Sequence, residues 1–403
     1  MGLRAIAQFM STCENARRNQ PVIVCFAGSD WWYHNRGLFC PQVVKRLAKD
    51  HVVLYINSLG MRTPSLTKGR DAIRKVFRKL CSIIRFLRRV DENIYVFSPV
   101  SVPALGSAFG RKLSALAVLA QVKLIMAFLG FKKPVFYVGC VPAYEIVKKL
   151  DRAYLIYERT DLFEEMPGIN KEYIISLDRE LATSADLVLY VNKSLWKEGL
   201  QNNKNSILIG HGVDFDRFAK AEESDYVPDD IAELPKPVIG FFGDITEDVC
   251  DFSLLEYTAK TLTDVSLVLV GPISSNVTPL KRYKNLYFLG QKPYEEIPHY
   301  GKMFDVAIMP WKKNRWIEFC NPVKVKEYLA LGKPIVSIDY PELKPYHDIV
   351  YPASSYDEFI MAIRIALKED NPTLKRCRQK RVQNETWDSK VERIKAIIEK
   401  DLR

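Results

Sequence analysis

Residues Phe304 to Ser337 read FDVAIMPWKKNRWIEFCNPVKVKEYLALGKPIVS. Asp305 to Met309 is a short apolar run, the pattern of a buried strand, and Pro310 ends it. A polar loop follows, and Asn321-Pro322 then opens a helix, with proline where a first turn tolerates it. Val323, Val325, Tyr328 and Leu329 are the apolar positions of that helix, and Gly332 is its stop signal. Pro334 blocks any continuation, and Ile335-Val336-Ser337 begins another strand. A loop and helix N-terminus at the carboxyl end of a parallel strand offer free N–H groups and a positive dipole end to an anion. Lys324 in the first turn adds a cation, and Glu327 one turn later adds an acceptor for hydroxyl groups. An ordinary βαβ unit with a solvated helix has the same spacing, so the residue pattern by itself leaves both readings open.

The same alternation extends outward in both directions. Pro21 to Ala27, His51 to Asn57, Asn93 to Phe97, Pro134 to Val138, Ala153 to Tyr157, Asp186 to Val191 and Ser206 to Ile209 read as strands. A second set follows at Val238 to Phe242, Ser266 to Val270, Leu286 to Leu289, Val306 to Met309 and Pro334 to Ile338. Strands alternating with helices twice over predict an α/β chain with two parallel-sheet domains. Residues 1–218 form the expected first domain and 237–383 the second, with the acidic, proline-containing stretch 219–236 as linker. Loops at the carboxyl ends of strands are where such sheets bind ligands. The first one, GSDWWYHNRG, holds Asp30, Trp31, His34, Asn35 and Arg36. It is not GxGxxG, so a nicotinamide or flavin cofactor has no support. Another, ERTDLFEEMPG, holds Asp161, readable either as a carboxylate facing a substrate or as a helix N-cap.

With 403 residues, 48% hydrophobic and 27% charged, the chain is globular and long enough for two domains. Its eight cysteines form no CxxC pair and no Cys/His cluster, which fits reduced thiols in a cytoplasmic protein. The segment MGLRAIAQFMSTCENARRNQ has too short an apolar run for a signal peptide. The net charge of +11 is concentrated in Lys68 to Arg89, KGRDAIRKVFRKLCSIIRFLRR. There Ile73, Val76, Phe77, Leu80, Ile84 and Leu87 recur at helical spacing opposite a basic face. Such a helix is either docked on the domain core or lies on an anionic lipid surface. Nucleic acid is a weaker third reading, because no recognition module accompanies the basic run. Ala104 to Phe131 is largely apolar but carries Arg111, Lys112 and Lys123, so it reads as a packed helix rather than a membrane span.

Taken together, NPVKVKEYLALGKPIVS and the preceding YFLGQKPYEEIPHYGKMFDVAIMP resemble the nucleotide-sugar signature of retaining glycosyltransferases of the GT4-like group 1 type. GHGVDFDRF, Gly210 to Phe218, is similar to the segment that closes the first domain in that family, with His211 where asparagine is usual. The resemblance implies a GT-B fold, two Rossmann-like parallel-sheet domains facing a central cleft. It implies a last helix, residues 384–403, returning to the first domain.

By the same resemblance the donor belongs to the second domain, at Gly243, Asp244, Pro310, Trp311, Asn321, Pro322, Val323, Lys324 and Glu327. Glu327 matches the glutamate associated with ribose hydroxyls. Asp30, Trp31, His34, Arg36, His211 and Gly212 fall on the acceptor and cleft side, and Asp161 positions the acceptor. Two departures stand out. Phe319 occupies the position of the family's other glutamate, with Glu318 beside it, and GDITEDVCDF lacks the usual basic pair. Lys324 is therefore expected to meet the diphosphate, while Lys326 is expected to be solvated, since successive helix residues do not share a face. The implied activity moves a sugar from a nucleotide-diphosphate donor to a saccharide or lipid-linked acceptor, with retention, in surface glycan biosynthesis. No metal or other cofactor is expected, and no nucleic acid. A peripheral place on the inner face of the plasma membrane is expected from the basic run. The alternatives are a GT-B-shaped binding or scaffold protein with degraded catalytic groups, and a sugar-nucleotide epimerase.

Overall fold

The computed structural model describes residues 21–33, 37–59, 69–101, 107–369 and 371–402. His34, Asn35, Arg36 and the first twenty residues lie outside that range. The chain divides into two compact units, Met1–Ile209 with Val391–Arg403, and Gly210–Lys390.

The first unit is built on an eight-stranded sheet ordered β3-β4-β2-β1-β5-β6-β7-β8. Its strands are β1 (Ile23–Phe26), β2 (Val53–Ile56), β3 (Leu87–Asp91), β4 (Ile94–Phe97), β5 (Val135–Val138), β6 (Tyr154–Arg159), β7 (Leu187–Tyr190) and β8 (Ser206–Leu208). All pairings are parallel except β3 with β4. The central strands are buried along their whole length, as expected where helices cover both faces of a parallel sheet. Its main helices are α1 (Phe39–Leu47), α2 (Gly69–Arg85), α3 (Ala108–Leu129) and α4 (Lys171–Ser184). Ser107 caps α3 by accepting from the Gly110 N–H at 3.0 Å, and Gly130, with φ of 66°, ends it.

The second unit holds a six-stranded, all-parallel sheet ordered β11-β10-β9-β12-β13-β14. These are β9 (Val238–Phe242), β10 (Ser266–Val270), β11 (Leu286–Gly290), β12 (Val306–Met309), β13 (Ile335–Ile338) and β14 (Tyr351–Ala353). Counted within the unit, the order is 3-2-1-4-5-6, the doubly wound arrangement of nucleotide-binding sheets. Its helices include α5 (Phe215–Ala221), α6 (Phe252–Thr261), α7 (Arg315–Glu318), α8 (Val323–Ala330), α9 (Tyr356–Ala366) and α10 (Pro372–Val382). Residues 219–236 are part of this unit, with Ala221 and Ile231 buried in its core. The last helix, α11 (Trp387–Leu402), begins in the second unit, and its residues from Val391 onward count with the first. There Arg393 donates to the Leu208 carbonyl at 3.0 Å and Lys395 pairs with Asp50.

Two expectations about the basic run need correction. It is not one helix to Arg89: Phe86 takes a φ of 47°, turning the chain so that Leu87 to Asp91 pairs antiparallel with β4 as an edge strand. Charged residues such as Arg88 and Arg89 suit an edge, where they discourage further pairing. The orientation of α2 also inverts the docked-helix reading. Phe77, Leu80 and Ile84 are exposed, whereas Ser82 is fully buried and Arg78, Lys79 and Arg85 face inward in part. Lys79 donates to the Ser58 carbonyl at 3.1 Å. The Arg85 guanidinium lies over the Trp32 ring at 4.5 Å, and that of Arg78 over Tyr33 at 5.6 Å. Over residues 77–85 the helix thus docks through its polar side; the side chains of Ile73 and Val76 lie outside the described residues. On α3, which has the length and hydropathy of a membrane span, Phe109, Leu113, Leu116, Leu124 and Phe128 are likewise exposed. Val118, Val122, Ile125 and Leu129 on its other side are buried in the first unit.

Candidate functional site

In the second sheet the strand order reverses between β9 and β12, which makes the carboxyl ends of those strands the expected ligand position. Two glycines shape it. Gly243, directly after β9, has φ of 152°, and Gly271, directly after β10, has φ of 151°, conformations that side chains resist. A Cβ on Gly271 would fall 1.8 Å from the Gly243 carbonyl oxygen, so these two turns approach each other only as glycines.

Lys324 lies across this turn. Its Cε is 2.2 Å, and its Nζ 3.1 Å, from where a Cβ of Gly243 would stand. The stretch Gly243 to Phe252 contributes no cation of its own, so the lysine from the first turn of α8 brings one to it. That first turn has no acidic residue and no side-chain cap, and its N-cap is Pro322. Its N–H groups are therefore the kind that donate to an anion.

Glu327 follows one turn later and is 4% exposed. Burial raises its carboxyl to about 7, against the opposing pull of Lys324 and a hydrogen bond with Tyr294, while Asp214 adds to the rise. The helix is fixed beneath these groups by Tyr328, whose hydroxyl accepts from the Phe242 N–H at 3.0 Å and whose ring lies 4.4 Å from that of Phe242.

Lys326 is not solvated as expected. Only 5% exposed, it donates from Nζ to the His211 carbonyl at 2.6 Å and pairs with Glu385 at 3.2 Å. Burial lowers its pKa to about 8. The reason is the face on which α8 packs, which turns Lys326 toward the Gly210 to Gly212 segment. His211 therefore belongs to the second unit. Burial and the neighbouring Lys326, Lys324 and Lys390 depress its imidazole to about 3, so it is neutral at ordinary pH. Gly212 is required because a Cβ there would stand 2.7 Å from the Trp387 backbone and ring.

The remaining expected donor residues are more dispersed. The Pro310 carbonyl accepts from the Asp251 N–H at 2.8 Å, and Trp311 is buried with its ring 5.6 Å from Tyr340. Trp311 walls a cavity of about 300 Å³ with Asp251, Lys312, Lys313, Ser354 and Tyr356. Asp244 is exposed and accepts from the Ser274 hydroxyl at 3.0 Å. Asn321 donates to Glu342 at 2.9 Å, and Val323 opens α8. Glu318 ends the short α7 as an exposed side chain, with Phe319 half-buried after it.

In the first unit, Asp30 ties its own loop, accepting from the Trp32 N–H at 2.9 Å and the Ser82 hydroxyl at 2.8 Å. Trp31 is buried against Tyr55, with its N–H donated to Asn57 at 2.8 Å. Asp161 is half-buried just past β6, close enough to Glu158 to raise its pKa. Among the described residues no group of His, Cys, Asp and Glu is placed to hold a metal ion.

Sequence reasoning missed Gly271, Tyr294 and Glu158. The first had a visible signal, since Gly271-Pro272 ends an apolar run as Gly243 does. The other two had none, because a tyrosine in a polar loop and a glutamate near the end of a strand are commonplace.

Residues 236–369 match the family described as Glycosyl transferases group 1. The Bacillus subtilis (strain 168) protein TuaH, assigned to teichuronic acid biosynthesis as a glycosyltransferase, is 25% identical over 260 residues. That alignment covers 58% of this chain and 64% of TuaH, a little under two thirds of the relative's length. Among solved structures, sucrose-phosphate synthase from Thermosynechococcus elongatus is similar with a TM-score of 0.71 at 14% identity, covering 95% of this chain and 99% of that one. Anabaena HepE in complex with UDP and glucose is similar with a TM-score of 0.64 at 14% identity, over 94% and 100% of the two chains. At such identities the likeness concerns the fold, which is GT-B.

Proposed function

We propose that this chain is a glycosyltransferase in surface polysaccharide biosynthesis. On this reading the second unit holds a nucleotide-diphosphate sugar and the first unit a saccharide or lipid-linked acceptor. The observation that carries it is the Lys324 side chain laid across Gly243 at the switch point of a 3-2-1-4-5-6 sheet, with buried Glu327 one turn away. As the bond to the sugar breaks, the diphosphate gains negative charge, and a fixed cation beside a helix N-terminus favours that state over the ground state. Glu327 is suited to accept hydrogen bonds from ribose hydroxyls. The group 1 match over 236–369, the likeness to TuaH and the UDP-glucose complex of HepE support a UDP-sugar donor. Retention follows if the departing phosphate takes the acceptor proton on the same face of the sugar, which requires no dedicated base. Titration calorimetry with UDP, GDP and ADP, followed by transfer assays with the matching glucose donors, tests the reading. Binding of UDP with a raised melting temperature is expected. Failure of all three nucleotides to bind would remove the donor site and the activity with it.

The exposed apolar sides of α2 and α3 in a basic first unit support a peripheral lipid surface as its setting. Phe77, Leu80 and Ile84 would enter the interface while anionic lipid draws in the surrounding basic residues. A lipid-linked acceptor fits that placement.

A further inference from the structure

The first unit has its own switch point, between β1 and β5, where the strand order turns back on itself. Two glycines again end the strands there. Gly139 donates its N–H to the Phe26 carbonyl at 2.9 Å, and a Cβ on Gly28 would stand 2.9 Å from the Gly139 carbonyl oxygen. Behind Gly139 is Glu158, the fifth residue of β6. It is 4% exposed, and its Oε2 has no hydrogen-bond partner among the described residues. Its carboxyl carbon and both oxygens lie 3.5 Å from where a Cβ on Gly139 would be. The missing side chain of Gly139 therefore leaves one atom's width beside a buried carboxyl at the ligand-binding end of the sheet.

We propose that Glu158 is a hydroxyl-binding group for a sugar in the first unit, reached past Gly139. This rests on the transferase reading in that the sugar bound there is the acceptor. Tyr137 bonds to the carboxyl from one side, but the buried Oε2 has no partner within hydrogen-bond distance among the described residues. That is destabilising unless something supplies one, and a sugar hydroxyl both donates and accepts. The described groups facing Glu158 are Tyr137 from β5, Tyr55 from β2, Cys40 from α1 and Asp161 beyond its own strand. The tyrosines and the thiol are held neutral by burial, so Asp161 is the charge among them. Burial, opposed by a hydrogen bond with Tyr137 and helped by Asp161, raises Glu158 to about 8, so at neutral pH it meets the sugar as a neutral acid able to donate and accept. Where the neutral acid donates to a sugar oxygen, that bond is lost when the group ionises, so binding weakens as pH rises through about 8, the opposite sense to a carboxylate that only accepts.

Saturation-transfer NMR of the full chain with a panel of methyl hexosides tests this, alongside UDP calorimetry on the same samples. Wild type should bind at least one hexoside, less well above about pH 8. Glu158→Gln, which copies the neutral acid, should keep affinity within about twofold and lose the pH dependence. Glu158→Leu should weaken binding about tenfold or more. If that variant does not fold, Gly139→Ala decides: its methyl meets the carboxyl at an ordinary 3.5 Å, so it should fold, and it fills the approach. Hexoside binding unchanged in Gly139→Ala and Glu158→Leu overturns the proposal. So does a Gln variant as weak as Leu, or a wild type that binds no hexoside. Absence of UDP binding would instead sink the transferase reading while leaving the hexoside result standing.

Discussion

Replacing Lys324 by methionine keeps the unbranched stem that crosses Gly243 and removes only the ammonium. Lys324 is half-buried and its ammonium sits beside the turn, with Nζ 3.1 Å from the missing Cβ of Gly243. A unit charge about 4 Å away at an effective dielectric of about 20 gives roughly 4 kcal/mol of attraction. Dehydrating both ions and fixing a mobile side chain offset part of this, leaving about 1.5–3 kcal/mol for a charged hydrogen bond. UDP should therefore bind about tenfold to 150-fold more weakly to Lys324→Met. The rate of transfer should fall by about 100-fold or more, because the leaving group carries more charge than the bound donor. Calorimetry at two salt concentrations is the assay, and the variant should also lose part of the salt dependence of affinity. The melting temperature of the unliganded protein should hardly move. UDP affinity within about twofold of wild type, with the same salt dependence, would refute the placement of the diphosphate at Gly243 and Lys324.

Lys326→Met should do the opposite, leaving UDP affinity alone and lowering stability by about 1–3 kcal/mol, since the His211 carbonyl loses its donor. Because its folded pKa of about 8 lies below the unfolded 10.5, the unfolded chain binds more protons between those values. Wild-type stability should thus gain from this residue as pH rises through that window, a gain that melting curves of the variant should lack. Glu327→Gln should weaken UDP binding by roughly 1–3 kcal/mol. If ribose hydroxyls donate to the carboxylate, wild-type affinity should fall as pH drops below about 7 and the variant should show no such fall. Equal pH profiles would take Glu327 out of the nucleotide site. Changing Phe77, Leu80 and Ile84 together to serine should abolish flotation with anionic liposomes without lowering the melting temperature, because these side chains are exposed. Retained flotation would place lipid contact elsewhere.

The strands were legible in the sequence because a parallel sheet covered on both faces must be apolar along its whole length. PVIVCFA, HVVLYIN, VIGFF and SLVLV carry that mark without any alternation to confuse it. The helix after β12 was legible for a similarly local reason, since its start and stop are written in Pro322, Gly332 and Pro334. Local patterns fail where the deciding partner is distant. LRRVD reads as more of a basic helix, and only the neighbouring β4 makes it an edge strand. The stripe of Phe77, Leu80 and Ile84 has helical spacing whichever way it points. Stacking of Arg78 and Arg85 on Tyr33 and Trp32 accompanies its outward orientation. Lys324 and Lys326 are indistinguishable in the string VKVKEY, yet one lies across a glycine turn and the other is buried beneath Gly210 to Gly212. Residue type and spacing fix where a helix begins, ends and repeats. The neighbours it packs against, far away in the chain, fix which of its charges face a ligand, a carbonyl or water.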